Sequence, residues 1–294
     1  MTKDKKIIWH RREVGSLDLA GWKAAVIGGT GGLGRAISRT LAARGANVTV
    51  VGQTFRDADV PGIQFVKADL GLMSEARRVA RELPAEDLDL LVFTTGIFAA
   101  PKREVTAEGI ERDMAVSFLS RLVMLRELAP RLGTGRREGG RGRPRVFVMG
   151  YPGTGQAGVL GDLNAEASYS TMTVHMNTVA GNEMLVLDAA RRHKDASFFG
   201  LNPGLVKTNI RDNLFGKDSL KSRWAETMIG WFTPTPERYA EGIVPLLVSA
   251  DIEAHSGAMF NQKGEAILPS PKLADGAHVA AFLAQSDALA ARSA

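Results

Sequence analysis

Residues 23–34 read Lys23-Ala24-Ala25-Val26-Ile27-Gly28-Gly29-Thr30-Gly31-Gly32-Leu33-Gly34, and they decide the fold. The apolar run 23–28 has the length and composition of a buried strand. Glycines follow at once, and residues 33–44 then carry Ala and Leu at helical spacing. A strand that turns on glycines into a helix is the layout a pyrophosphate needs. One glycine permits the tight turn, a second lets the backbone approach the phosphates, and a third lets helix and strand pack closely. The helix start supplies N–H groups and partial positive charge. The turn alone is weak evidence, but its place after the first strand of a βαβ unit strengthens it.

Working outward, the same grammar repeats. Short apolar runs predict strands at 48–51, 63–66, 88–93, 143–149 and 198–201. Helical spacing predicts helices at 72–83 (stopped by Pro84), about 107–132 and about 168–192. A helix is also expected over 239–249, a last strand over 258–261 and an Ala-rich tail helix over 277–291. Strands alternating with helices imply a doubly wound, Rossmann-like α/β sheet, parallel and covered by helices on both faces. Residues 1–20 read as an N-terminal arm and 21–294 as a single domain. The Gly/Arg stretch 133–144 reads as a flexible loop, and about 207–240 as a segment that covers the substrate.

The chain has 294 residues, 45% hydrophobic and 23% charged, which places it among globular proteins. With no cysteine, it has no disulfide framework, thiolate zinc site or cysteine nucleophile. Residues 1–13 are charged and lack the apolar centre of a secretory signal, and no run is long enough to span a bilayer. From these features a cytoplasmic location, away from membranes, is expected. The net charge of +5 is local, because five arginines and one glutamate fall between Arg136 and Arg145. That is a poor footprint for nucleic acid, and none is expected as a partner. His10, His193, His255 and His278 show no metal-ligand spacing. Met172, Met176 and Met184 are spaced like core packing.

The spacing Gly28-x-x-x-Gly32-x-Gly34 resembles the short-chain dehydrogenase/reductase family. Asp69-Leu70 is similar to the family's adenine-contacting position. Thr94-Thr95-Gly96 falls where the family has an Asn-Asn-Ala-Gly turn. Asn202-Pro203-Gly204-Leu205-Val206-Lys207-Thr208 resembles the segment that cradles the nicotinamide. Glu108-Gly109-Ile110-Glu111, Asp162-Leu163-Asn164 and Ser256-Gly257-x-x-Phe260 resemble the retinol-dehydrogenase-like branch. The resemblance covers about residues 20–265. It implies a nicotinamide cofactor held by Gly28, Thr30, Gly32, Leu33, Gly34, Gln53, Arg56, Asp69, Leu70, Thr94, Thr95, Gly96, Pro203, Gly204, Val206 and Thr208. It also implies a small-molecule substrate and a homodimer paired through the long helices.

The second strand ends Gly52-Gln53-Thr54-Phe55-Arg56, without the carboxylate that would bind a ribose 2′-hydroxyl. A 2′-phosphate meets no repulsion there, and Arg56 or Arg35 is of a type to pair with it. NADP(H) is therefore expected over NAD(H), although Gln53 stands where NADP-preferring relatives often carry Arg.

The family's proton-transfer set is a Tyr with a Lys four residues on, a carbonyl-polarising Ser and an Asn. Four residues after Tyr151, Tyr169 and Tyr239 stand Gly155, Thr173 and Ile243, so no Tyr-x-x-x-Lys exists. Aligning neighbours puts His175 at the Tyr position, Val179 at the Lys position, Gly150 or Tyr151 at the Ser position and Ser117 at the Asn position. His175, Tyr151 and Ser117 are the catalytic candidates, since imidazole exchanges protons near neutrality. Three readings stay open. One is an atypical NADPH-dependent reductase of a carbonyl or activated double bond. The others are a non-catalytic NADP(H)-binding sensor and a non-redox enzyme reusing the pocket.

Overall fold

The computed structural model describes residues 1–135, 141–204 and 234–292. Its centre is an eight-stranded sheet in the order β3-β2-β1-β4-β5-β6-β7-β8. The strands are β1 (Lys23–Ile27), β2 (Asn47–Gly52), β3 (Ile63–Lys67), β4 (Leu90–Phe93), β5 (Arg145–Met149), β6 (Ser197–Leu201), β7 (Met259–Phe260) and β8 (Ala266–Ile267). Neighbours pair in parallel throughout except β7 with β8, which is antiparallel. This is the doubly wound Rossmann-like class expected from the alternation of elements. The order reverses beside β1, between β2 and β4, which is the switch point where such sheets bind ligands beyond their strand ends.

Alternate residues of the central strands serve opposite layers. Ala25 and Ile27 of β1, with Leu91 and Phe93 of β4, join one core. Ala24, Val26, Leu90 and Val92 join the other. The first core packs under α2 (Met73–Glu82), α4 (Ser120–Leu128), α5 (Thr171–Arg192) and the C-terminal α7 (Gly276–Ala291). The second packs under α1 (Gly32–Ala43) and α6 (Pro236–Leu247), which lie against each other.

The long helix expected over 107–132 begins later and is not uniform. Gly109 adopts φ +76°, and the Glu111 side chain accepts from Met114 N, capping the short helix α3 (Arg112–Met114). A π-helical stretch, Ala115–Leu119, joins α3 to α4. β8 was not expected, because two residues carry too short a pattern to read. The expected arm runs along it: Lys3 bridges Ile267, and Trp9 Nε1 donates to Gly264 O at 2.6 Å. The helix expected over 239–249 starts earlier, because Thr235 caps it and Pro236 suits its first turn. Of the loop over 133–144, residues 136–140 lie outside the described residues, as do 207–233 of the covering segment.

Candidate cofactor and proton-transfer site

The turn after β1 is built by close approach. Gly28 has φ +89°, and a Cβ there would lie 2.7 Å from Thr95 N. A Cβ on Gly34 would run into the Gly28 carbonyl and the Thr94 hydroxyl, so only glycine lets α1 start this near β4. Above Gly31 the space is open, its nearest neighbour being Arg56 Nη1 at 3.8 Å. Gly31 also caps α1 without a side chain, which leaves the first-turn amides for a ligand.

Two cavities meet at this turn, sharing Gly28, Thr30, Thr95, Gly96 and Ile97. One, of about 810 Å³, is also lined by Gln53, Arg56, Asp69 and Leu70. The other, of about 620 Å³, takes in Gly32, Leu33, Gly34, Thr94, Ser117, Tyr151, His175, Pro203 and Gly204. Every described residue of the expected set therefore borders one continuous cleft at the switch point. Val206 and Thr208 lie outside the described residues. The arrangement fits an extended dinucleotide, with glycines where phosphates would pass and a groove at each end.

Arg56 Nη1 donates to Thr30 O at 2.8 Å, which holds the guanidinium over the turn while the side chain stays exposed. Arg35 is committed elsewhere. Its Nε and Nη2 grip Asp57 at 2.9 and 2.7 Å, and Arg39 adds a further contact at 2.7 Å. Hydrogen bonds from Arg35 above all, and from Arg39, hold the Asp57 carboxyl below the usual range against its burial. Of the two arginines considered for a 2′-phosphate, only Arg56 remains at the cleft. Asp69 Oδ1 accepts from Gly71 N at 2.9 Å, fixing the carboxylate at the groove wall. Thr94 turns its hydroxyl inward to Ile27 O.

The other end carries the titratable groups. His175 lies one turn into α5, its side chain 18% exposed, and Nδ1 is 2.8 Å from Asp113 Oδ2. Asp113 is fully buried, and its Oδ1 accepts from Ser117 Oγ at 2.5 Å. Ser117 Oγ in turn accepts from Ile97 N at 3.0 Å. Phe98 packs on the imidazole with ring centroids 4.0 Å apart. A carboxylate on Nδ1 fixes the tautomer and leaves Nε2 as the free ring nitrogen. Asp113 escaped the sequence reading because it lies 62 residues from its partner. Its only signal was its place four residues before Ser117 on one helical face.

Arg121 was missed as well. It is buried beneath the cleft, where Nη1 donates to Met149 O and, at 2.9 Å, to Asn182 Oδ1. Its Nη2 donates to Thr95 O, and Nε reaches Thr95 Oγ1. Burial lowers its pKa to about 9, so it remains a cation at neutral pH. The guanidinium ties together the ends of β4 and β5. Asn182 Nδ2 donates to the carbonyls of Ser117 and Thr178, both at 2.8 Å, completing the floor. Val179 lies on the same face of α5, and no lysine borders this cavity among the described residues. Tyr151 also borders it, its carbonyl accepting from Thr154 Oγ1. Of the three methionines expected in the core, only Met184 is buried there. Met172 is 57% exposed, and it borders the cavity with Met176.

The three segments 108–111, 162–164 and 256–260 have structural roles. Asn164 Oδ1 accepts from Glu111 N at 2.7 Å, and its Nδ2 donates to Gly109 O at 3.1 Å. Ser256 Oγ accepts from Phe198 N. Burial raises the Glu111 carboxyl above its ordinary range. Among the described residues no helix is long and apolar enough to cross a membrane.

Comparison with known proteins agrees with this architecture. The short chain dehydrogenase family pattern matches residues 23–142. An uncharacterized oxidoreductase of Saccharomyces cerevisiae is 53% identical over 275 residues, covering 92% of this chain and 89% of that protein. The polyprenol dehydrogenase of Mus musculus is 28% identical over 266 residues, covering 83% of this chain and 76% of that protein. Among solved structures, an uncharacterized protein from Mycobacterium Paratuberculosis superposes with TM-score 0.69 at 21% identity, covering 96% and 98% of the two chains. The Pseudomonas aeruginosa RhlG/NADP active-site complex superposes with TM-score 0.59 at 22% identity, covering 84% and 96%. With a relative more than half identical along nearly its whole length, and a glycine turn opening a parallel sheet, the chain belongs to the short-chain dehydrogenase/reductase family of oxidoreductases, which use a nicotinamide cofactor.

Proposed function

We propose that this chain is an NADP(H)-dependent reductase of a carbonyl or activated double bond, in which His175, oriented by Asp113, carries the proton. The observation behind it is the 2.8 Å contact between His175 Nδ1 and a fully buried Asp113 at the edge of the cleft. When bound, the nicotinamide supplies a hydride to the substrate carbon and is left oxidised. His175 delivers the matching proton from Nε2 to the substrate oxygen, and keeps Nδ1–H on Asp113 while it does so. Asp113 stabilises the imidazolium that precedes transfer and prevents the ring from turning. Ser117, bonded to the other carboxylate oxygen, holds Asp113 in place. Tyr151 borders the same cavity, and in this reading its hydroxyl would hydrogen-bond the substrate oxygen.

Gly28, Thr30, Gly32, Leu33, Gly34 and Gly96 would hold the phosphates, and Asp69 and Leu70 the adenine. Thr94, Thr95, Pro203 and Gly204, continued by Val206 and Thr208, would hold the nicotinamide end. NADP(H) is favoured because the end of β2 offers Gln53 and Arg56 and no carboxylate. An arginine fixed by Thr30 O over the turn is suited to a 2′-phosphate. The NADP complex of the P. aeruginosa relative supports the same choice.

The test is His175→Ala. NADPH oxidation with ketone and enone panels should fall about 100-fold or more, while fluorescence titration shows unchanged NADPH affinity, tighter than that for NADH. Turnover at the wild-type rate in the variant sinks the role of His175. Tight NADPH binding without turnover in the wild type selects the sensor reading instead.

A further inference from the structure

The face of α5 that carries His175 bears three apolar side chains, and its polar members Thr178 and Asn182 are hydrogen-bonded within the protein. Met172, His175, Met176 and Val179 follow the spacing i, i+3, i+4, i+7, so they share one side of the helix. That side borders a cavity of about 620 Å³ rather than the core. Met172 is 57% exposed there. Ile97 and Phe98 form part of the same wall. Unbranched methionines adapt to ligands of irregular shape.

The charges around the cavity are as telling. No Lys, Asp or Glu borders it among the described residues. The guanidinium of Arg121, the one that borders it among the described residues, is buried and taken up by Thr95, Met149 and Asn182. Among the described residues, a carboxylate or phosphate on a substrate here would lose its water and meet no cation but His175, whose two ring N–H groups are committed to Asp113 and to the carbonyl oxygen.

We propose that the substrate is an uncharged carbonyl compound bearing an extended apolar group, which lies along Met172, Met176 and Phe98 with its carbonyl at His175. This rests on the reductase reading above and narrows it. Specificity then comes from apolar contact on the α5 face, with Met172 as the residue that meets the far end of the chain.

The experiment is a matched series of 2-butanone, 2-hexanone, 2-octanone and 2-decanone, with 2-oxooctanoate beside them, under saturating NADPH. kcat/KM should rise up to about fourfold per added methylene. 2-Oxooctanoate should be at least about tenfold poorer than 2-octanone, because its charge would be desolvated unpaired. Met172→Lys should cut the ratio of 2-decanone to 2-butanone by about tenfold, since a charge would replace apolar contact. A flat series, or preference for the oxo acid, overturns the proposal and leaves the reductase reading standing. A parallel measurement follows displacement of Nile red from the NADPH-loaded protein by the same ketones. If no ketone is reduced, displacement that strengthens with chain length upholds the apolar site and sinks only the reductase reading. Absence of displacement sinks the apolar site.

Discussion

Two buried aspartates illustrate how much a single carboxylate can organise. Asp113 serves the cleft by fixing an imidazole from the next long helix. Asp113→Asn keeps the shape but cannot stabilise an imidazolium. It should lower kcat by about 10- to 100-fold with NADPH affinity unchanged, measured by steady-state kinetics and titration in parallel. Asp57 serves stability by gathering Arg35 and Arg39. Its carboxyl is held below the usual range by those hydrogen bonds, so its contribution is present above an ordinary carboxylate pKa and is lost as pH falls through the lowered value. Asp57→Asn should cost about 1–2 kcal/mol at pH 7, a modest figure because the arginines are partly exposed. In urea unfolding the gap between wild type and variant should shrink below about pH 4.

At the scale of elements, the site depends on how α5 meets the π-helical stretch Ala115–Leu119. The two are in contact at Gly181, where a Cβ would lie 2.8 Å from the Phe118 ring. Next to it, Asn182 bonds Ser117 O and Arg121, so the crossing that glycine permits also sets the floor of the cleft. Widening a helix by one residue per turn re-aims its side chains, and here it accompanies Ser117 facing both Asp113 and Ile97. Gly181→Ala should push α5 away from Phe118 and cost about 1–3 kcal/mol. Thermal unfolding measures that loss, and kcat should fall with it because His175 rides on the displaced helix.

Across the whole molecule, the C-terminal helix α7 closes one face. It packs on α4, on the π-helical stretch and on α5, with Phe282 against Phe118 at 6.0 Å. Arg126 reaches Asp287 at 3.0 Å. His278 Nε2 lies 2.7 Å from Ala157 O, and Gln285 Oε1 accepts from Gly161 N at 2.9 Å, so α7 also anchors the loop that leads from Tyr151 to α5. Phe282→Ala should cost about 3–5 kcal/mol through the cavity left beneath α7, read as a lower midpoint in chemical denaturation. The covered face belongs to the long helices through which pairing was expected, so pairing there would require α7 to move away.

The sequence alone determined the strand–glycine–helix turn, the α/β class and the described residues that border the cleft at the switch point. It could do so because each rests on local rules: period-two and period-3.6 burial, and the backbone freedom that only glycine has at Gly28 and Gly34. It also determined that no Tyr-x-x-x-Lys is present. What it could not carry was any pairing between distant side chains. Asp113 with His175, Asp57 with Arg35 and Arg121 with Thr95 are separated by 62, 22 and 26 residues, and no spacing rule connects them. The same limit misplaced Met172 and Met176, because helical spacing says that residues share a face and not what that face meets. Only the packing of α5 beside the cleft decided that it meets a cavity, and only the packing of α7 decided which helical face is covered.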